Sequence, residues 1–205
     1  MRYFFVVCLT LICLMLSGAA MATEEADYDV VRQDDDFELR DYASQIVAET
    51  VVSGSFSRAG NSAFRPLFNY ISGDNTVRTK IEMTAPVSQT AHRQDIAMTA
   101  PVSQRASGDD WVISFMMPAK FTMATIPVPT DPAISVREIP AHRMAAIRYS
   151  GRWTEKRYQS HLDELRNWAE AQNLTATGDP IFARYNGPFT PWFMRRNEIL
   201  LPVAE

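Results

Sequence analysis

Apolar and polar residues alternate over Ile81–Gln89, reading Ile-Glu-Met-Thr-Ala-Pro-Val-Ser-Gln, and again over Ile96–Gln104, reading Ile-Ala-Met-Thr-Ala-Pro-Val-Ser-Gln. Period two is the pattern of a strand with one buried face, and Pro86 or Pro101 near the end restricts its place in a ladder. A second, more distant correspondence lays Phe37–Ser57 on Ile134–Thr154 without a gap. Arg40/Arg137, Ala48/Ala145, Ser53/Ser150 and Gly54/Gly151 are identical, and Phe37/Ile134, Leu39/Val136 and Phe56/Trp153 are similar. Each stretch predicts strand, short turn, strand, a Ser-Gly break and a helix start.

The pattern then changes from period two to helical. A first helix is predicted from near Ser62 to a stop at Gly73, with Phe64, Leu67, Phe68 and Ile71 on one face and Pro66 keeping it short. A second is predicted from Thr154 as N-cap to about Asn173, with Tyr158, His161, Leu162, Leu165, Trp168 and Ala169 as its apolar stripe. Beyond the helices, Glu82-Met83 through Pro86-Val87 align with Glu198-Ile199 through Pro202-Val203. Two strand-strand-helix-strand-strand units predict an α+β domain, a distorted antiparallel β-barrel with two flanking helices and pseudo-twofold symmetry. Because Glu82 is matched by Glu198 but replaced by Ala97, the first copy of the repeated strand is read as part of the fold and the second as an added ribbon.

The N-terminus reads differently from the rest. Tyr3–Leu16 is apolar apart from Thr10, follows Arg2 and precedes Ala20-Met21-Ala22. A run of fourteen residues falls short of the roughly 20 that span a bilayer, so residues 1–22 are expected to be a secretory signal peptide cleaved before Thr23, leaving no transmembrane segment. The product would be periplasmic or secreted. Residues 23–36 carry seven acids with little periodicity and are expected to be an exposed lead-in to a single domain over 37–205. Both cysteines, Cys8 and Cys13, lie in the removed segment, which excludes disulfides, thiolate metal sites and cysteine nucleophiles from the mature chain. Its 19 basic against 24 acidic residues give a net charge of −5, which speaks against nucleic acid as a partner.

The strand Lys80–Val87 (Lys-Ile-Glu-Met-Thr-Ala-Pro-Val) and the run Ala183–Glu198 (Ala-Arg-Tyr-Asn-Gly-Pro-Phe-Thr-Pro-Trp-Phe-Met-Arg-Arg-Asn-Glu) resemble the SOUL haem-binding protein family, over about Tyr28 to Val203. The resemblance implies the β-barrel with two helices and non-covalent binding of haem or a porphyrin in a hydrophobic cleft near the first helix. Where family members ligate iron through a histidine, it follows the arginine of the first strand. Here that position is Asp41, a poor substitute for imidazole on haem iron. The mode carried over is therefore binding without a strong axial ligand, by apolar contacts and by arginines at the propionates. Phe64, Leu67 and Phe68 are the expected apolar contacts, and Arg58, Arg65, Arg195 and Arg196 the expected cations, since a guanidinium fork suits carboxylates.

The remaining chemistry is sparse. His92 lies in a polar linker, His161 on a helix stripe, and His142, at a strand start, is the remaining candidate iron ligand. No histidine pair has zinc spacing. Met83, Met98, Met116, Met117 and Met144 are expected to fill the core or to wall a flat ligand. Glu82 and Glu198 suit acid–base work or pairing with arginine, Arg196 being two residues from Glu198 on the same strand face. No nucleophile elbow or phosphate-binding glycine loop occurs, so the chain does not read as an enzyme. The expected role is an exported haem carrier or buffer. The alternative is an effector-binding type of domain that binds or hydrolyses another apolar small molecule.

Overall fold

The computed structural model describes residues 23–77 and 94–204. The first copy of the repeated strand, with Glu82 and Met83, and His92 lie outside the described residues. The elements are β1 (Glu24–Glu25), β2 (Tyr28–Asp34), β3 (Phe37–Tyr42), β4 (Gln45–Ser53), α1 (Phe56–Ile71), β5 (Asn75–Thr76), β6 (Thr99–Ala100), β7 (Val102–Ser107), β8 (Asp110–Met116), β9 (Val128–Pro129), β10 (Ile134–Ile139), β11 (His142–Tyr149), α2 (Glu155–Ala171), β12 (Ile181–Arg184) and β13 (Asn197–Pro202).

Nine strands form one antiparallel sheet in the order β10-β4-β8-β7-β12-β13-β11-β3-β2, curled into a half-barrel. The strands read from alternation in the two matching stretches are present, but they pair across the stretches, β3 with β11 and β4 with β10, rather than with their neighbours in sequence, and β7 and β8 form a hairpin whose Gly108 has φ +60. The second copy of the repeated strand is not an added ribbon. Its Val102–Gln104 opens β7, in the middle of the sheet between β8 and β12. Tyr28–Asp34, within the stretch read as an acidic lead-in, is an exposed edge strand paired to β3. Backbone pairing at an edge needs no buried side-chain face, so period-two reading misses it.

Strand alternation gives the sheet two faces. One is covered by the helices. Tyr158, Leu162, Leu165, Trp168 and Ala169 of α2 pack on Leu39, Ala145, Ile147, Phe182, Ile199 and Leu201. Ala59, Ala63, Leu67, Tyr70 and Ile71 of α1 pack on Ala48, Ile113, Phe115 and Ile134. Removing a buried leucine such as Leu165 from such a core costs about 2–5 kcal/mol. α2 begins as predicted, the Thr154 side chain accepting a hydrogen bond from the Arg157 N–H. α1 starts at Phe56, well before Ser62, and runs through Pro66. Its first turns bury Ala59, Gly60 and Ala63, small residues that bring the helix close to the sheet but give little apolar signal. Burial of Leu67, Tyr70 and Ile71 holds the helix together past the proline, at the point where the ring removes a backbone donor. Met116, Met117 and Met144 are buried as expected, whereas Met98 is exposed and precedes β6.

Candidate functional site

The face of the sheet turned away from the helices bears the polar chemistry. Residues from strands at opposite ends of the sheet, Arg137 and Ile139 of β10 and Tyr42 of β3, line one cavity of about 400 Å³. They meet because the sheet curls. Val47, Val112, Met116, Met144, Ile181 and Leu200 give it an apolar lining, and Ser103, Ser114, Arg105, Arg137, His142, Tyr42 and Tyr185 supply its polar groups. The registers Val47↔Met116, Ile181↔Arg105 and His142↔Tyr42 place these side chains on the same face.

Under Tyr42 and Tyr185 lies a buried ionic network. Glu198, with no exposed surface, accepts from Arg40 Nη1 at 2.7 Å and Nη2 at 3.2 Å, Arg196 Nε at 2.9 Å and Tyr185 Oη at 2.9 Å. Arg40 also donates to Glu38 at 2.6 Å and to Tyr42 Oη at 3.0 Å, and its guanidinium lies 4.4 Å from the centroid of the Tyr28 ring. Burial alone would raise the Glu198 pKa. The hydrogen bonds and charge of Arg40, with Arg196 and Tyr185, outweigh it and hold the carboxyl below its ordinary 4.5. Burial likewise works against the Arg40 charge, and Glu198 reverses that, so the arginine is raised. Burial pushes the Tyr42 phenol up to about 12. Arg196 therefore pairs with Glu198 as the sequence predicts, and donates to Glu25 at 2.8 Å as well. With its oxygens taken and its basicity lowered, Glu198 is a structural acid.

His142 lies at the start of β11, half-buried on the cavity wall, its ring stacked on Tyr42 at 5.5 Å with 8° between planes. Its Nδ1 is 2.7 Å from the Pro140 carbonyl oxygen. A carbonyl only accepts, so in the neutral ring Nδ1 carries the proton and Nε2 the lone pair. The cavity cations are loosely and firmly held in turn. Arg105 stands 3.9 Å from the exposed Asp179, while Arg137 donates to Glu49 at 2.8 Å. Asp41, which takes the place of the family's histidine, is bound at both oxygens by Arg143, at 2.6 and 2.7 Å.

The seven residues predicted to bind a ligand are not gathered in this cavity. Phe64 and Phe68 form an exposed stacked pair on α1, 5.7 Å apart, with Phe64 edge-on to Phe115. Arg58 and Arg65 are exposed on the same helix. Leu67 points the other way and is fully buried, a core residue with no surface to offer a ligand. Arg195 and Arg196 line a separate shallow hollow with Asp36, Arg148 and Tyr149. His161 bonds Glu164 at 2.9 Å and stacks on Tyr149. Sequence reading did not single out Tyr42, Arg105, Arg137 or Tyr185. The first three alternate with the core residues of their strands, and that alternation marks them as facing away from the helices.

A family model described as SOUL heme-binding protein matches residues 23–202. The chain belongs to the SOUL haem-binding protein family. Among solved structures, the C-terminal domain of EcmrR is similar with a TM-score of 0.59 at 14% identity, covering 87% of this chain and 98% of that one. A structure described as a hydrolase from Listeria innocua has a TM-score of 0.54 at 12% identity, covering 85% and 94%. An uncharacterized conserved protein from the same organism has 0.53 at 12%, covering 89% and 94%. At these identities the likeness is one of fold. No curated protein sequence matches the chain. Among the described residues no helix is long and apolar enough to cross a membrane, and no group of three or more metal-ligating side chains occurs.

Proposed function

We propose that this SOUL-family chain binds haem or a related tetrapyrrole non-covalently in the half-barrel cavity, as an exported carrier or buffer. The observation that carries the reading is His142, a cavity-lining imidazole whose Nδ1–H is tied to the Pro140 carbonyl, leaving Nε2 as a lone-pair donor. That is the tautomer and second-shell arrangement in which histidine ligates metals. It replaces the ligand-free mode expected from Asp41. The donor set fits the group: the apolar lining suits the macrocycle, His142 suits the iron, and Arg105, weakly paired, suits a propionate. Bound iron tetrapyrrole would supply a redox-active, light-absorbing centre, and the chain's own residues hold and shield it.

Export rests on the apolar run Tyr3–Leu16 and the Ala20-Met21-Ala22 site, and an N-terminus at Thr23 in protein recovered from the envelope would support it. Titration of haem into the chain beginning at Thr23 tests the binding reading. A saturable Soret band distinct from that of free haem is expected. No spectral change, together with uptake of a different apolar probe in the cavity, would favour the effector-binding alternative. Its hydrolytic form gains no support from Glu198, whose oxygens already accept four hydrogen bonds.

A further inference from the structure

The segment joining β12 to β13 carries the most exposed apolar side chains among the described residues. Phe189 is 98% exposed, Met194 65%, Phe193 60% and Trp192 49%. Four such residues within six positions, on a chain whose helices and sheet have buried their own, form a patch of the kind that marks an interaction site. The segment is braced. Arg195 donates to the carbonyls of Thr190 and Pro188, both at 2.8 Å, the Arg196 N–H donates to Asn186 Oδ1 at 2.6 Å, and Trp192–Met194 form a single 3₁₀ turn. Trp192 and Phe193 stand edge to face at 5.6 Å. The tip is thus held outward by its own hydrogen bonds, with no core beneath it.

The second part of the feature is charge. Beside the tip is a hollow of about 350 Å³ lined by Arg148, Arg195, Arg196 and Asp36, with Phe193 and Met194 on its rim. Arg152 lies 5.9 Å from the Trp192 ring. Glu198 and Glu25 take up the charge of Arg196, but Arg148, Arg152 and Arg195 have no acidic partner within 4 Å among the described residues. A net-acidic chain therefore collects cations around its most apolar point. Aromatic residues that seek the bilayer interface, ringed by arginines that seek phosphate, match the layered chemistry of an anionic lipid surface.

We infer that the 187–194 tip, with Arg148, Arg152 and Arg195, docks the protein on a bilayer rich in anionic phospholipid, inserting Phe189, Trp192, Phe193 and Met194 at the interface. The inference is independent of haem, since none of these residues lines the half-barrel cavity. It is tested with the chain from Thr23, which contains every described residue, by co-sedimentation with phosphatidylglycerol–phosphatidylethanolamine vesicles and with phosphatidylcholine vesicles. Binding to the first, weaker binding to the second, and a fall of about tenfold on raising salt from low to near-molar are expected. Phe189→Ser/Phe193→Ser is expected to cut partitioning at least about tenfold with unchanged thermal unfolding, since both side chains are already solvated. Arg148→Gln/Arg152→Gln is expected to remove the lipid-charge preference while leaving the residual apolar binding. Equal partitioning of wild type and the double phenylalanine variant would overturn the inference, as would no sedimentation with any vesicle. A vesicle-free dimer abolished by the same variant would also overturn it, and would assign the tip to a second copy of the chain.

Discussion

A buried arginine and a half-buried one on opposite faces of the sheet show how differently those faces are built. Arg40, on the cavity side, is surrounded by Glu38, Glu198 and the Tyr42 hydroxyl, and its charge is reinforced. Arg184, on the helix side, has no acid within salt-bridge distance among the described residues. Its Nη2 donates to Gln104 Oε1 at 2.8 Å, its Nε is buried without a partner, and its guanidinium lies 5.1 and 5.5 Å from the Trp153 and Phe182 rings. Burial brings its pKa down to about 10. The helix face is a packed core that holds Arg184 against aromatic rings rather than against an acid. On the cavity face Arg40, Arg196 and Glu198 are held in fixed pairs, giving a polar floor that does not need a ligand to organise it.

The largest effect is therefore expected from breaking the paired side. Glu198→Gln keeps the shape and leaves Arg40 and Arg196 undercompensated, and a loss of about 3–5 kcal/mol in denaturant unfolding is expected. The same residue sets an acid limb. Its folded pKa lies below 4.5, so its contribution is complete above the unfolded value and disappears as pH falls from about 4.5 through the folded value. The variant should show a shallower loss of stability over that window than wild type, and equal slopes would remove Glu198 from the account.

On the helix side the effects are smaller and steric. A Cβ at Gly60 would lie 1.8 Å from Arg184 Nη2. With the guanidinium confined between rings, Gly60→Ala is expected to cost about 1–3 kcal/mol by thermal unfolding. Arg184→Met keeps the stem, removes a poorly compensated charge and strands one acceptor of Gln104, so its net change should stay within about 1 kcal/mol. A loss as large as that of Glu198→Gln would end the contrast between the two arginines.

The same contrast explains what could be read from the chain. Core faces were legible where large apolar residues recur, as in α2 and in β3, β4, β10 and β11. The start of α1 was not, because Ala59, Gly60 and Ala63 bury backbone-close surface without a hydrophobic signature, and the edge strand β2 was not, because pairing there leaves both faces wet. The Arg196–Glu198 pair was legible from spacing on one strand. Its third member, Arg40, is 158 residues away, and the pairing of β3 and β13 on either side of β11 brings it in. The cavity itself was hidden for the same reason: Arg105, Arg137, Tyr42 and His142 come from four strands, and nothing local in any of them marks their meeting. The arginines and phenylalanines nearest the family motif and the first helix were the visible candidates; Arg58, Phe64, Arg65 and Phe68 lie on the outer surface of α1, and Arg196 is tied to Glu198.

The location of the tetrapyrrole site is decided by one haem titration on three proteins: wild type, His142→Ala and Phe64→Ala/Phe68→Ala. The cavity account predicts that His142→Ala shifts the Soret band and weakens binding by about tenfold or more, while the double phenylalanine variant reproduces the wild-type spectrum and isotherm. Loss of binding in the phenylalanine variant with an unaltered spectrum in His142→Ala would contradict it and place the ligand on the outer face of α1.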